Sequence, residues 1–162
     1  MLILLAILFL AFVTYNVYTV DLFGIPQSIS ETAYLFDSLN GKRWLFSLMC
    51  GVIGIGLLIP WIEATVEVIQ FLPFLSCACI LFCALTPCYK ENLEGMVHYV
   101  FSGISFGALV AWMYLSGTSL YLLALLFVTF ILSVAVKPKS YVYFAEIYSI
   151  TFLLISLIAF YL

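Results

Sequence analysis

Glu94 and His98 stand four residues apart, and His98 is the chain's one histidine. On a helix, that spacing puts a carboxylate and an imidazole on the same face within reach of each other. Such a pair is able to serve as an acid and a base, or to contribute two ligands to a metal. With about 100° of turn per residue, Glu91, Glu94, His98, Ser102, Ser105 and Trp112 share one sector of a helix. Gly103 and Gly107 point to the opposite side. A polar face opposite a smooth one predicts a helix in the middle of a bundle, with the glycine face packed closely within the chain.

Glu146 is a second carboxylate set among apolar residues. Ionised inside a bilayer it costs about 2.5 to 3.5 kcal/mol on insertion scales, so it needs a partner, water or a proton. His98 is the natural partner. Tyr143 and Ser149 share the helical sector of Glu146, and Glu31 with Tyr34 comes from a polar segment expected at the same membrane boundary. These residues are the candidate ligand-binding set, together with Ser102. No catalytic residue is assigned, and no metal or cofactor is expected. The chain lacks H-E-x-x-H, the P-loop and G-x-S-x-G.

The elements that must position these groups follow from composition. The 162 residues are 67% hydrophobic and 8% charged, and mean hydropathy is +1.28. A soluble domain carries roughly a quarter charged residues, so the composition predicts an all-α polytopic membrane helix bundle. The whole chain, residues 1–162, reads as one integral membrane domain. A net charge of −3 with no basic stripe argues against a nucleic-acid partner and leaves membrane lipids as the expected one. A homo-oligomer or partner membrane helices are also compatible with the glycine pattern. Cys50, Cys77, Cys79, Cys83 and Cys88 lie in or beside apolar runs and read as packing residues. Cys79 and Cys83, four apart, are a weak soft-metal signal.

Six spans are expected, at about residues 2–20, 44–60, 68–86, 95–115, 120–136 and 141–161. The first has no basic residue before it and no small-residue cleavage site after it, so it is expected to remain in place. Between the first two spans, Ser28-Ile29-Ser30-Glu31 has the spacing of a capping box and opens a short interfacial helix over about 29–39, closed by Asn40-Gly41. Gly51 and Gly54 are expected to let another helix approach the second span. Ser116-Gly117-Thr118-Ser119 reads as a tight turn between the fourth and fifth spans.

Lys42 and Arg43 fall in the first connection, Lys90 in the third, and Lys137 and Lys139 in the fifth. All five basic residues therefore lie on one side. By the positive-inside rule that side is cytoplasmic and both termini face out. The basic residues also suit anionic lipid headgroups.

Glu94, His98 and Glu146 resemble the acid–base set of membrane sterol isomerases of the emopamil-binding type, in a different order along the chain. Zinc-dependent hydrolases of the alkaline ceramidase type use several histidines where this chain has one. In composition and hydropathy the chain is similar to small six-helix bacterial inner-membrane proteins, a resemblance that implies an inner-membrane location and no particular activity. The reading that follows is a cytoplasm-facing polar pocket binding a lipid or amphipathic small molecule. Alternatives are a proton or ion pathway through the bundle or an oligomer, and a membrane enzyme acting on a lipid through the His and Glu groups.

Overall fold

A computed structural model describes residues 1–117 and 120–162. Among these the chain is helical throughout, with no strand. Seven α-helices follow one another: α1 (Leu2–Phe23), α2 (Thr32–Asp37), α3 (Trp44–Glu63), α4 (Phe71–Leu85), α5 (Asn92–Ser116), α6 (Leu120–Val136) and α7 (Tyr141–Tyr161). A 3-10 turn, Glu67–Ile69, leads into α4. The expected turn at Ser116–Ser119 falls partly outside the described residues, at Thr118 and Ser119.

Five helical segments are long and apolar enough to cross a membrane: α1, α3, Glu67–Leu85, α5 and α7. The sixth expected span, α6, is apolar but only 17 residues long. At 1.5 Å per residue it covers about 26 Å, short of a hydrocarbon core of about 30 Å.

The helices pack in sequence where connections are short. The α3, α4 and α5 helices lie side by side, α1 rests on α3 and α7, and α6 leans mainly on α7. The core is Leu5, Leu8 and Phe12 of α1, Ile53, Leu57 and Trp61 of α3, Trp112 and Met113 of α5, and Leu154 and Leu157 of α7. The outward faces are apolar as well, with Ile7, Leu10, Ile55, Ile59, Val128 and Ile131 all exposed. Helices apolar on both sides match a lipid surround.

The second expected span runs on to Glu63, through Pro60, whose missing N–H leaves the Gly56 carbonyl without its usual donor. The segment expected as an interfacial helix over 29–39 is shorter as α-helix, Thr32–Asp37, and one of its faces is covered by the bundle. Ile29, Thr32, Ala33 and Phe36 are buried, and Phe36 is ringed by Tyr15, Tyr18 and Phe23. It plugs one end of the bundle. The hydroxyl half of the capping box forms as expected, Ser28 Oγ accepting the Glu31 N–H at 3.1 Å, while the Glu31 carboxylate reaches one residue further back and accepts the N–H of Gln27 at 2.6 Å. Asn40 and Gly41, at φ 59° and 74°, end the segment in the left-handed region.

The polar sector of α5 does point inward, but the helix is not central. Gly103 and Gly107 are exposed, and a Cβ on either would meet nothing within 4 Å. The close packing expected of that face within the chain is absent, because α4 covers the polar face only. Gly51 likewise faces open space, whereas Gly54 lies against Leu81 and Cys77 of α4. The tightest approaches are elsewhere. A Cβ on Gly56 would fall 2.5 Å from Leu8 Cδ2, and one on Gly95 would fall 2.3 Å from the Tyr89 carbonyl oxygen.

Candidate functional site

His98 is 2% exposed on α5. Its Nδ1 lies 2.9 Å from the carbonyl oxygen of Thr86, at the end of α4. A carbonyl only accepts, so Nδ1 carries the hydrogen. A neutral ring then accepts at Nε2, where Ser30 Oγ stands 2.7 Å away. Both ring nitrogens are thus engaged, by Thr86 and by Ser30. Neither partner is a carboxylate.

Glu146 enters from α7 and meets the same short segment. Its Oε2 accepts the N–H of Ile29 at 2.5 Å. Adjacent residues of one loop therefore hold two different helices, Ile29 binding Glu146 and Ser30 binding His98. Glu146 and His98 are brought to one end of the bundle through this bridge and not by direct pairing. A further link comes from the backbone, where the N–H of Tyr143 donates to the carbonyl of Gln27 at 3.0 Å.

The other expected members are placed differently. Glu94 turns back, its Oε2 accepting the N–H of Cys88 at 3.1 Å. It orders the connection between α4 and α5 instead of facing His98. Glu31 caps its own segment, as described above. Tyr143 is 2% exposed and its hydroxyl donates to Asn16 Oδ1 at 3.1 Å, while Asn16 Nδ2 donates to the Phe12 carbonyl at 2.8 Å. The neighbouring Tyr15 hydroxyl donates to Thr32 Oγ1, which passes its own hydrogen to the Ile29 carbonyl at 2.5 Å. Ser102 Oγ is 3.2 Å from Cys83 Sγ, and Ser105 Oγ is 2.9 Å from Ser76 Oγ. These two pairs form a polar seam between α4 and α5. Among the described residues no three His, Cys, Asp or Glu side chains gather as metal ligands, and every cysteine is free and buried.

Tyr34 belongs to the rim. Its hydroxyl accepts the N–H of Lys90 at 2.8 Å, and its ring lies 4.5 Å from Lys90 Nζ and edge-on to Tyr89 at 5.2 Å. Arg43 stands 5.8 Å from the same ring and pairs with Asp37 at 2.6 Å, while its Nη1 donates to Cys88 Sγ. The hydrogen bond it donates to the Asp37 carboxylate holds the Arg43 guanidinium above its ordinary value. Burial, with Glu31 nearby, pushes the Tyr89 hydroxyl up to about 12, which keeps that tyrosine neutral.

Beneath this polar end runs a cleft of about 130 Å³. Ile29, Ser30, Glu146 and Ser149 line one part of it, Ser76, Cys83, Ser102 and Ser105 of the α4–α5 seam line another, and Ile53, Leu57, Leu109, Leu153 and Trp61 supply apolar wall. It is enclosed by α3, α4, α5 and α7, and α5 and α7 touch each other only sparsely, leaving a gap between them. Phe106, 43% exposed, and Ile150 stand on the two sides of that gap. At the far end Trp61 and Trp112 pack edge to face at 5.4 Å, and Trp112 Nε1 donates to Thr65 Oγ1 at 2.7 Å.

Ser30, Thr86, Asn16 and Thr32 carry this arrangement without having stood out in the sequence. Ser30 had a signal, since it sits inside the capping-box motif, but the motif accounts for Ser28 and Glu31 and is silent on the residue between. Compared with protein-family models, with curated proteins and with solved structures, the chain matches none.

Proposed function

We propose that this chain is a six-span integral membrane protein whose cleft binds a lipid or another amphipathic small molecule. The observation that carries the reading is the cleft itself: a largely apolar lining with a carboxylate and a few hydroxyls set in it, beside the sparse contact of α5 with α7. That is the shape and polarity of an amphiphile with its headgroup at the end held by Ile29 and Ser30. In this reading α6 is the sixth span, with the bilayer thinning slightly to match it. The basic connections lie in the cytoplasm, so the polar end faces the cytoplasm and both termini lie outside. The membrane is taken as a bacterial inner membrane.

Two features favour binding over the alternatives. A proton or ion pathway needs polar groups along its length, and the cleft between Ser105 and Trp61 is walled by Ile53, Leu57, Leu109 and Leu153. An acid–base reaction needs a free imidazole nitrogen, and both nitrogens of His98 are held by protein groups.

The test is lipid retention. The chain purified in a mild non-ionic detergent is expected to carry bound amphiphile detectable by native mass spectrometry. Ile150→Trp, which fills the gap from its half-exposed position, is expected to lose it with helix content unchanged by circular dichroism. Equal retention by the variant and the parent overturns the reading.

A further inference from the structure

The polar end of the cleft has an unusual composition of hydrogen-bonding groups, and it extends the binding reading to the headgroup. Ser30 Oγ gives its hydrogen to His98 Nε2, which the Thr86 carbonyl has made the acceptor nitrogen. Ser149 Oγ gives its hydrogen to the Ala145 carbonyl at 2.5 Å. Both hydroxyls therefore offer the cleft only lone pairs. Glu146 spends one oxygen on the Ile29 N–H at 2.5 Å, and its other oxygen has no hydrogen-bond partner among the described residues. The Ile29 N–H is already spent on Glu146, so the oxygens of Ser30, Ser149 and Glu146 face the cleft as acceptors, and the donors beside them are the weak S–H groups of Cys50 and Cys83. No lysine, arginine or histidine lines the cleft, so the chain supplies Glu146 with no counter-charge there. At the rim, Arg43 is held by Asp37 and Cys88, and Lys90 lies over Tyr34.

A carboxylate in apolar surroundings is costly unless it is paired and hydrogen-bonded. A ligand with several donors and positive charge would offset that cost more fully than a single water or a proton. We propose that the cleft takes a long-chain primary amine, its ammonium held by Glu146, Ser30 and Ser149 and its hydrocarbon chain lying toward Trp61. The ammonium has three N–H donors and no acceptor, which matches the three acceptors in number and kind. A carboxylate or phosphate headgroup would face Glu146 with like charge and no donor, and a quaternary ammonium would bring charge without hydrogens. This inference rests on the cleft being a binding site, and the test separates the two.

Dodecylamine, dodecanol and dodecanoate share one chain and differ in headgroup. Binding of each to the full chain in non-ionic detergent at neutral pH is measured by native mass spectrometry and by thermal shift. The parent is expected to bind dodecylamine at least about tenfold more tightly than dodecanol, the step that about 1.4 kcal/mol of charge-assisted hydrogen bonding produces. Dodecanoate is expected to be weakest. Glu146→Gln keeps an oxygen for the Ile29 N–H and so keeps the fold, and it is expected to bring the amine down to the level of the alcohol. Ile150→Trp is expected to abolish all three. Dodecanoate binding as well as dodecylamine, or an amine preference that survives in Glu146→Gln, overturns the headgroup assignment while the cleft reading stands, provided Ile150→Trp still blocks binding. If no amphiphile binds, or Ile150→Trp changes nothing, both fail.

Discussion

Ser30 is the residue on which the polar end turns, because its hydroxyl is the partner of a buried imidazole that has no other acceptor-side contact among the described residues. Ser30→Ala leaves Nε2 of His98 buried and unpaired, which is expected to lower stability by about 1 to 3 kcal/mol, read by chemical denaturation in detergent. Tyr143 and Asn16 make the same argument with a control. Tyr143→Phe strips Asn16 Oδ1 of its donor and is expected to destabilise the fold by a similar about 1 to 3 kcal/mol, whereas Tyr143→Phe combined with Asn16→Leu is expected to recover most of the loss. An additive double mutant would show that the two groups do not depend on each other. The residue types at this end were legible in the sequence: His98, Glu146, Tyr143 and Tyr34 all stand out as polar groups in apolar surroundings. Their partners were not. Helical spacing brings Glu94 to the same face as His98, but it does not show that a loop N–H, from Cys88, takes the carboxylate first.

At the scale of the element, α5 separates two kinds of glycine. Gly95 lies against the Tyr89 carbonyl, and backbone does not yield as a side-chain tip does. Gly95→Ala is therefore expected to displace the connection that presents Thr86 and Lys90, at about 1 to 3 kcal/mol. Gly103→Ala meets open space on an exposed helix face and is expected to leave the chain unchanged or to stabilise it by up to about 1 kcal/mol. Thermal unfolding of the two variants side by side checks the contrast, and equal losses would contradict it. The small-xxx-small pattern pointed to Gly103 and Gly107, while the close contacts fall at Gly95, Gly54 and Gly56. Spacing reports that glycines share a face, not whether anything stands opposite. The α2 segment teaches the same lesson in reverse: its apolar face was readable as Ile29, Ala33 and Phe36, and the bundle end, not the lipid, covers it.

For the whole molecule, the placement of charge is the feature with the longest reach. Lys42, Lys90, Lys137 and Lys139 are all exposed, and their connections meet at one end through the contacts of Lys90 with Tyr34 and of Tyr143 with Gln27. With that end in the cytoplasm, a membrane-impermeant amine reagent is expected to leave all four lysines unmodified in right-side-out vesicles and to label them in inverted ones. Labelling split between the two faces would rule out the six-span arrangement and with it the direction assigned to the cleft.

The sequence alone determined the properties that depend on local composition and period: helices apolar enough for a bilayer, the basic residues falling in alternate connections, and the polar sector of α5 turned inward. These need only the order of residues along one helix. The tertiary structure decided which groups meet. Ser30 and His98 are 68 residues apart and Ile29 and Glu146 are 117 apart, and no helical period relates residues at such separations. The cleft arises in the same way, its lining drawn from α3, α4, α5, α7 and the Ile29–Ser30 loop. Glu146 and His98 share an end of the bundle because that one loop donates to both.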